Sequence, residues 1–162
     1  MRLALIADTH LRGADRGLPG PCVEQMRKAD LVLHAGDVIS EEALEMIEAI
    51  GPPVRAVHGN VDTRQLQRRL PEELSLQAEG VAISMLHDAG PAKGRLERMR
   101  ARFPDADLVV FGHSHMPLHE EEAGFQIFNP GSPTERRRAP RHTMGIARVS
   151  RGRLDFELLE LD

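Results

Sequence analysis

Residues 3–10 read Leu-Ala-Leu-Ile-Ala-Asp-Thr-His, a short apolar run that changes abruptly into polar residues. The same change recurs at residues 31–37, which read Leu-Val-Leu-His-Ala-Gly-Asp. Short apolar runs that are rich in Val, Ile and Leu and end at polar or glycine residues are typical of buried strands. Both stretches are therefore predicted to be buried strands, each followed by a loop that carries polar side chains.

Strands and helices alternate along most of the chain. Five apolar runs are predicted as strands, at Leu3–Ala7, Leu31–Ala35, Val54–Val57, Val81–Leu86 and Leu108–Phe111. Amphipathic spacing predicts helices between them, at Pro21–Ala29, Glu41–Ile50, Thr63–Leu70 and Lys93–Phe103. Beyond Pro117 the pattern changes to strands joined by turns, at Leu118–Glu121, Phe125–Phe128, Met144–Val149 and Leu154–Leu161. The sequence therefore predicts an α/β fold with a strand-rich C-terminal portion.

Two of the predicted helices carry recognisable boundary residues. Ser40 and Asp62 occupy positions where N-caps are expected, and Asp62 is followed three residues later by Gln65, as in a capping box. Gly51-Pro52 provides a stop after the second helix. These residues predict where the second and third helices begin and where the second one ends.

The composition of the whole chain limits its possible partners. The 162 residues include 21 Lys and Arg against 25 Asp and Glu, a formal net charge of −4. No general affinity for nucleic acid or for an anionic membrane is expected from that balance. Cys22 is the only cysteine, and no apolar stretch approaches the length of about 20 residues needed to cross a bilayer. We expect a soluble cytoplasmic protein that folds as one domain over residues 1–162.

Ligand-type side chains follow every one of the first five predicted strands. Functional crevices in open α/β sheets lie beyond the carboxyl ends of the strands, so these side chains are expected to converge. Carboxylate, imidazole and amide groups together suit borderline transition metals, whereas a magnesium site would use oxygen almost exclusively. The seven candidate metal ligands are Asp8, His10, Asp37, Asn60, His87, His113 and His115.

Each motif on its own also has a purely structural explanation. An Asp-x-His after a strand is usually a turn with a helix cap, and Gly36-Asp37 or Gly59-Asn60 can be a simple turn. Gly112-His113-Ser114-His115 is more specific, because two histidines beside a glycine suit a metal better than a core. The recurrence of such motifs after five strands favours one shared site.

In this order the motifs resemble those of the calcineurin-like metallophosphoesterases, in particular the small single-domain phosphodiesterases of bacteria and archaea. The resemblance spans nearly the whole chain and includes Asn129-Pro130-Gly131-Ser132 as a signature of that small branch. It implies a four-layer αββα sandwich, in which two central mixed β-sheets are flanked by helices and a two-metal site lies at one edge. It assigns Asp8, His10 and His115 to the first ion, Asn60, His87 and His113 to the second, and Asp37 as the bridge.

The resemblance also implies a reaction. Two divalent transition-metal ions, manganese first with nickel, cobalt, zinc or iron as alternatives, are expected to bind a small phosphate ester and activate a bridging hydroxide that attacks phosphorus. Asp37, Asn60 and His113 are the expected catalytic residues. A single bridging carboxylate can hold two ions about 3.5–4 Å apart, which suits an in-line displacement. The activity implied is that of a phosphodiesterase.

The chain departs from the family pattern at two positions. Larger family phosphatases carry a histidine after the Gly-Asn motif, and here that position is Val61. Its absence favours esters with activated or low-pKa leaving groups over general phosphomonoesters. Asp62 is an alternative proton donor, although capping of the third helix is its simpler role. Asp88 follows His87 where relatives commonly carry glycine, so access to the second metal is expected to differ.

Several residues outside the motifs have two possible roles. His34 and His58 precede ligand motifs by two residues, and each is either a supporting partner of a ligand or a buried, hydrogen-bonded strand histidine. Arg136 and Arg138 are predicted substrate contacts in the Arg136-Arg137-Arg138 run, with a solvated basic loop as the alternative. The remaining predictions are a core position for Cys22 and surface positions for His119 and His142.

Two other functions are compatible with the same motifs. The fold can serve as a binding scaffold, as in a eukaryotic cargo-sorting relative whose metal site is degraded, but here all seven ligand positions are filled. A DNA repair nuclease of the same superfamily is disfavoured by the net acidic charge and by the lack of room for a DNA-capping domain. Association into a homo-oligomer and the identity of the ester are left open.

Overall fold

The computed structural model describes residues 1–12 and 17–162. Its strands are β1 Arg2–Ile6, β2 Leu31–His34, β3 Val54–Ala56, β4 Glu73–Ala78, β5 Val81–Leu86, β6 Leu108–Val110, β7 Leu118–Glu122, β8 Phe125–Asn129, β9 Thr143–Ser150 and β10 Arg153–Glu160. Its helices are α1 Gly20–Arg27, α2 Glu41–Glu48, α3 Arg64–Arg69 and α4 Arg95–Arg102.

Two five-stranded mixed sheets form the centre of the fold. The first has the order β10-β9-β1-β2-β3, in which β1, β2 and β3 run parallel and β9 and β10 are antiparallel to their neighbours. The second has the order β4-β5-β6-β8-β7, in which β5, β6 and β8 run parallel between two antiparallel edge strands. The predicted pair of central mixed sheets is confirmed.

Within the described residues, three apolar clusters hold the layers together. One lies between the sheets and includes Leu5 and Leu33 from the first sheet and Met85 and Val110 from the second. Another joins the outer face of the first sheet to the helices through residues such as Leu44 of α2. The third cluster packs α4 against the second sheet. The chain is therefore a four-layer αββα sandwich, as predicted.

The element predictions are correct to within a few residues except at one strand. β4 was not predicted, although residues 73–78 alternate in burial, with Leu74 and Leu76 packed against the core between the sheets. Because only one face of this edge strand is buried, polar residues alternate with the leucines, and the strand contains no continuous apolar run. The period-two alternation was the signal that could have revealed β4.

Of the two predicted N-caps, one is confirmed and one is wrong. The Ser40 side chain accepts a hydrogen bond from the Ala43 backbone N–H at the start of α2. Thr63, and not Asp62, caps α3, because its hydroxyl accepts the Leu66 N–H. Asp62 instead accepts the backbone N–H groups of Ile39 and Gly59, at 2.6 and 2.7 Å. Its carboxylate therefore joins two loops instead of capping a helix.

The remaining structural predictions concern isolated side chains and membrane spans. Cys22 is buried in the core as predicted, and burial raises the pKa of its thiol to about 12. His119 is exposed as predicted, whereas His142 is half-buried and its Nδ1 lies 2.5 Å from Asp162 Oδ1. Within the part of the chain that the structure describes, no helix has the length and apolar character needed to cross a bilayer.

Candidate metal centre

The loops after five parallel strands meet at one edge of the sandwich. Strands β1, β2 and β3 deliver their loops from one sheet, and β5 and β6 deliver theirs from the other. Backbone hydrogen bonds join neighbouring loops, from His10 N to Asp37 O (3.1 Å) and from Gly112 N to His87 O (2.9 Å). The seven predicted ligands, which span residues 8–115, are thereby brought together at this edge.

Asp37 lies between two imidazoles at the centre of the group. Its Oδ2 is 3.2 Å from His10 Nε2 and also 3.2 Å from His87 Nε2. Asp8 lies beside it, with Oδ1 3.5 Å from His115 Nε2 and 4.0 Å from the Nε2 atoms of both His10 and His87. Two buried carboxylates therefore face three buried imidazole nitrogens.

The outward-facing nitrogen of each of these imidazoles is held by an acceptor. His87 Nδ1 lies 2.8 Å from the carbonyl oxygen of Ala35, and His115 Nδ1 contacts the carbonyl oxygen of Glu135. A carbonyl oxygen can only accept, so Nδ1 carries the proton and the neutral ring presents an Nε2 lone pair inward. His10 Nδ1 lies 3.3 Å from the Glu135 carboxylate, which favours the same tautomer.

This arrangement leaves buried polar atoms without partners. Among residues 1–12 and 17–162, the buried side-chain atoms lacking a hydrogen bond are Asp8 Oδ2, His10 Nε2 and His115 Nε2. Lone pairs that converge on carboxylates without a shared proton are unfavourable unless a cation lies among them. Asp8, His10 and His115 form one group whose ligand atoms lie within 4.8 Å of one another, and Asp8, Asp37 and His87 form another. The donor set fits divalent transition metals.

Asn60 and His113 complete the side of the centre nearer to solvent. Asn60 Oδ1 lies 3.1 Å from His87 Nε2 and 3.1 Å from His113 Nδ1, so amide oxygen and two imidazoles converge there. The His113 backbone N–H donates to Asp8 Oδ1 at 3.2 Å, which links this side to the buried carboxylates. Both Asn60 and His113 are exposed, in contrast to the buried residues of the other side.

The backbone of the ligands is unusual. Five of the seven have positive φ, namely Asp8 (54°), His10 (42°), Asp37 (60°), His113 (70°) and His115 (58°). Non-glycine residues rarely adopt this left-handed region, and such strain concentrates at functional sites. The strained backbone of these strand-to-loop turns therefore directs the ligand side chains inward.

Burial and neighbouring charges shift the pKa values of Asp8, Asp37 and His87 in the centre. Burial raises the pKa of Asp8 to about 7, against opposing charges that include His87 and Arg137. Burial also acts to raise the pKa of Asp37, but its contacts with His10 and His87 outweigh burial and lower that pKa. Burial acts to lower the pKa of His87, and its contact with Asp37 raises it overall. The negative charge of Asp37 thus favours a cation, either a proton or a metal ion, at His87 Nε2.

Comparison with known proteins agrees with this geometry. The model of the calcineurin-like phosphoesterase superfamily domain matches residues 1–152. The chain belongs to this superfamily. A probable metallophosphoesterase of Methanothermobacter thermautotrophicus is 29% identical over 161 residues, covering 98% of this chain and 92% of the relative. The phosphoesterase family is therefore established for the chain, and its described residues include two groups that could hold a metal ion.

Solved structures share the superfamily fold over nearly the full chain. Vps29 of Entamoeba histolytica, as a D62A mutant in its own numbering, superposes with a TM-score of 0.78 at 20% identity and covers 100% of both chains. An archaeal phosphodiesterase superposes with a TM-score of 0.73 at 20% identity, covering 98% of this chain and 100% of the other. At these identities the likeness establishes the fold.

Several residues outside the seven candidate ligands hold the loops of the site, through contacts that the sequence did not predict. Asp62 joins the loops of Asp37 and Asn60, and Asn129 Nδ2 donates to Gly112 O at 2.9 Å, holding the loop of His113. The segment 132–135 holds the first loop. Ser132 Oγ donates to Asp8 O at 2.8 Å and Thr134 Oγ1 to Thr9 O at 2.6 Å. No local pattern marks these contacts, because Ser132 and Asp8 are 124 residues apart.

The two supporting-histidine candidates have different environments. His34 is buried, accepts the Gly36 N–H at Nδ1 (3.2 Å) and faces Thr9 Oγ1 through Nε2 (2.9 Å). It thereby supports both loops that carry Asp8 and Asp37, while being a buried, hydrogen-bonded strand histidine as well. His58 is half-buried beside Asn60 and lines an open cleft. Both predicted roles thus apply to His34 at once.

The arginine run lies near the site but does not contact a ligand side chain through Arg136 or Arg138. Arg136, Arg137 and Arg138 are all exposed, and Arg136 Nη1 donates to Ala139 O at 3.1 Å. Within the run, the positive charge of Arg137 acts to lower the pKa values of Asp8 and His115. Substrate contact by Arg136 and Arg138 stays a prediction.

Proposed function

We propose that this superfamily member holds two divalent transition-metal ions and hydrolyses a small phosphodiester. The observation that carries the proposal is that Asp8 Oδ2, His10 Nε2 and His115 Nε2 are buried without a hydrogen-bond partner. A structural hydrogen-bond network would pair these atoms, whereas a metal centre leaves them free for ligation.

The two ions divide the ligands between them. Asp8, His10 and His115 would hold the first ion, and Asn60, His87 and His113 would hold the second. Asp37 would contact both ions, because its Oδ2 lies equally close to one histidine of each set, 3.2 Å from both. Asp8 also shares a group with Asp37 and His87, but its Oδ1 is farther from His87 Nε2, at 4.0 Å, so we assign it to the first ion alone.

The chemistry of hydrolysis combines the ions with groups of the chain. When bound, the ions supply Lewis acidity toward the phosphate oxygens and convert water into a nucleophile near neutral pH. Asp37, Asn60 and His113 position the reacting groups, and the exposed side of Asn60 and His113 is where the ester enters. Manganese is our first choice of ion. Nickel, cobalt, zinc and iron are alternatives, because mixed nitrogen and oxygen ligands bind these divalent metals as well.

The leaving group sets the preferred class of ester. The Val61 side chain has no acidic proton to give to a leaving group. The Val61 backbone N–H donates a hydrogen bond to Asp37 Oδ1 at 3.1 Å. Without a histidine at that position, departure of a basic alkoxide receives less help, so activated diesters are expected to react faster than alkyl monoesters. The likeness to an archaeal phosphodiesterase supports the same choice. Arg136 and Arg138 are proposed to attract the phosphate from solvent.

The test is hydrolysis of bis-p-nitrophenyl phosphate and p-nitrophenyl phosphate by purified protein, with manganese, nickel, cobalt, zinc and magnesium each added in turn. We expect turnover of the diester with manganese. Asp37→Ala is expected to lose activity by more than about 100-fold together with bound metal, since removing even a supporting partner costs 10–100-fold. Bound metal is measured by elemental analysis.

Asp155→Ala is the matched control, because Asp155 is exposed on β10 and outside the centre. It should retain both metal and activity. Metal bound without hydrolysis of any ester would favour a scaffold role, which the likeness to Vps29 makes the main alternative. An Asp37→Ala protein as active as the parent would rule out the bridge.

A further inference from the structure

An open cleft of about 320 Å³ begins at Asn60 and His87, the two ligands proposed for the second ion. Its walls come from the loops after β3 and β5 together with the ends of α3 and α4, and include Gln67, Glu72, Asp88 and Arg102. The volume lies in the range of small-molecule sites. Since the cleft opens on the proposed second ion, an ester held there would extend into it.

The charged groups of the cleft are mainly acidic. Glu72 and Asp88 are exposed carboxylates on its wall. Arg102 is the cationic side chain in the wall, but its guanidinium pairs with the Glu73 carboxylate, so its charge is compensated. Asp88 is fixed by the Gly90 N–H, which donates to Oδ1 at 2.7 Å, and Oδ2 lies 3.9 Å from His113 Nε2.

We propose that this cleft binds the alcohol portion of the ester and selects alcohols that carry no negative charge, with cationic alcohols preferred. The inference rests on the proposed function and names the substrate class within it. The phosphate of a diester carries one negative charge, which the metal side accepts. A second anionic group in the cleft would be repelled by the carboxylates of Glu72 and Asp88, whereas a cation or a hydroxyl would be stabilised there.

The test compares three p-nitrophenyl phosphodiesters of similar size whose second alcohol is choline, 3,3-dimethylbutanol or 3-hydroxypropanoate. Choline and 3,3-dimethylbutanol have the same shape and differ in charge, and the third alcohol carries a carboxylate. We expect kcat/KM for the choline ester to exceed that for the carboxylate ester by about tenfold at low ionic strength. The ratio should shrink in 1 M salt, where charges are screened within about 3 Å.

The variants Glu72→Gln and Asp88→Asn remove the charges while keeping the side-chain shapes. The asparagine oxygen at position 88 can still accept the Gly90 N–H. The double variant is expected to bring the ratio of the two kcat/KM values close to one. Glu121→Gln, at an exposed position of β7 outside the cleft, should leave the ratio unchanged.

The outcomes separate this inference from the proposed function. If the wild type hydrolyses all three esters and bis-p-nitrophenyl phosphate with no preference between charges, the charge selection is wrong and the phosphodiesterase proposal stands. A preference that persists unchanged in the double variant also overturns it. If no diester is hydrolysed with any metal, the proposed function itself fails. Thermal unfolding with manganese verifies that each variant is folded.

Discussion

At the scale of residues, the centre depends on backbone conformations that side chains rarely adopt. Each left-handed non-glycine residue costs on the order of 1–3 kcal/mol, and five of the proposed ligands have positive φ. The surrounding hydrogen bonds must hold this strain. The carbonyl oxygens of Asp8 and Thr9, on the first strained loop, are held by Ser132 and Thr134.

Glu135 is a positioning residue for two ligands of the first ion. Its carbonyl oxygen contacts His115 Nδ1, and its carboxylate lies 3.3 Å from His10 Nδ1. Glu135→Ala keeps the carbonyl that contacts His115 and removes the carboxylate that contacts His10. We expect it to weaken binding of the first ion by about 10–100-fold, the usual loss when a partner of a ligating histidine is removed. Manganese titration by calorimetry measures the change.

Glu135→Gln separates positioning from charge. Glutamine keeps an oxygen that can accept a hydrogen bond from His10 Nδ1–H, so affinity should recover most of the loss seen with alanine. Equal affinity for manganese in the alanine variant and the wild type would contradict the role of this residue. Glu121→Ala, at an exposed position of β7, is the matched control.

His34 should make stability depend on pH. Burial lowers its pKa from 6.5 to about 3, so the folded protein keeps this ring neutral where the unfolded chain protonates it. Its contribution to stability is complete above pH 6.5 and is lost as the pH falls toward 3, by up to about 1.4 kcal/mol per pH unit. Urea unfolding of wild type and His34→Gln, with a chelator present, measures the difference.

The stability of wild type relative to His34→Gln is expected to decline steadily between pH 6.5 and 4. The comparison with His34→Gln is needed because Asp8 makes the stability of both proteins depend on pH in the opposite direction. Its pKa is raised from 3.8 to about 7, so its contribution weakens as the pH rises across the same interval. His119→Gln, at an exposed position, should run parallel to the wild type. A constant difference between wild type and His34→Gln would contradict the assigned cause.

At the scale of elements, close contacts between loops explain why glycine precedes the ligands. A Cβ on Gly36 would lie 2.6 Å from His87 Nδ1, and a Cβ on Gly59 would collide with Asp37 Oδ1. The loops after β2, β3 and β5 therefore interlock without space for a methyl group. In this chain the Gly-Asp and Gly-Asn motifs have a packing role besides supplying ligands.

Gly36→Ala is expected to lower both metal affinity and stability. The methyl group must displace the His87 ring, and φ of 91° is unfavourable for alanine. We expect at least about tenfold weaker manganese binding and a loss of roughly 1–3 kcal/mol in unfolding free energy. Gly20→Ala is the matched control, because a Cβ there meets nothing within 4 Å. Equal effects of both substitutions would refute the packing role.

At the scale of the whole molecule, the face-to-face packing of two sheets creates the centre. Asp8, Asp37 and Asn60 follow strands of one sheet, and His87, His113 and His115 follow strands of the other. Neither sheet could form both proposed ion sites alone. We propose that residues 1–162 form one folding unit, since β9 near the C-terminus pairs with β1.

The overall charge of −4 bears on nucleic-acid binding. We expect any affinity for duplex DNA to be weak and to disappear at about 150 mM salt, because non-specific binding depends on neutralising phosphates with basic side chains. Fluorescence anisotropy of a labelled duplex, measured between 20 and about 200 mM salt, provides the test. Tight, sequence-independent binding at physiological salt would instead revive the nuclease hypothesis.

Much of this molecule could be predicted from its sequence, because the decisive signals are local. Apolar runs such as Leu3–Ala7 predict buried strands, and the polar residues after them predict where ligands converge. β4 was missed because its half-buried alternation is a weaker signal. The assignment of Asp62 as a cap was wrong because a favourable local position was overridden by two backbone donors, Ile39 and Gly59.

Apart from β4, the sequence by itself determined the order of strands and helices, and it determined the identity of the ligand candidates, since both depend on residue type and spacing. Only the tertiary structure decided which atoms of those residues face each other and which partners hold them. The contacts of Glu135 with His10 and His115 join distant segments, so no periodicity or motif encodes them. They exist because two sheets bring their loops to one edge, where buried polar atoms must find partners.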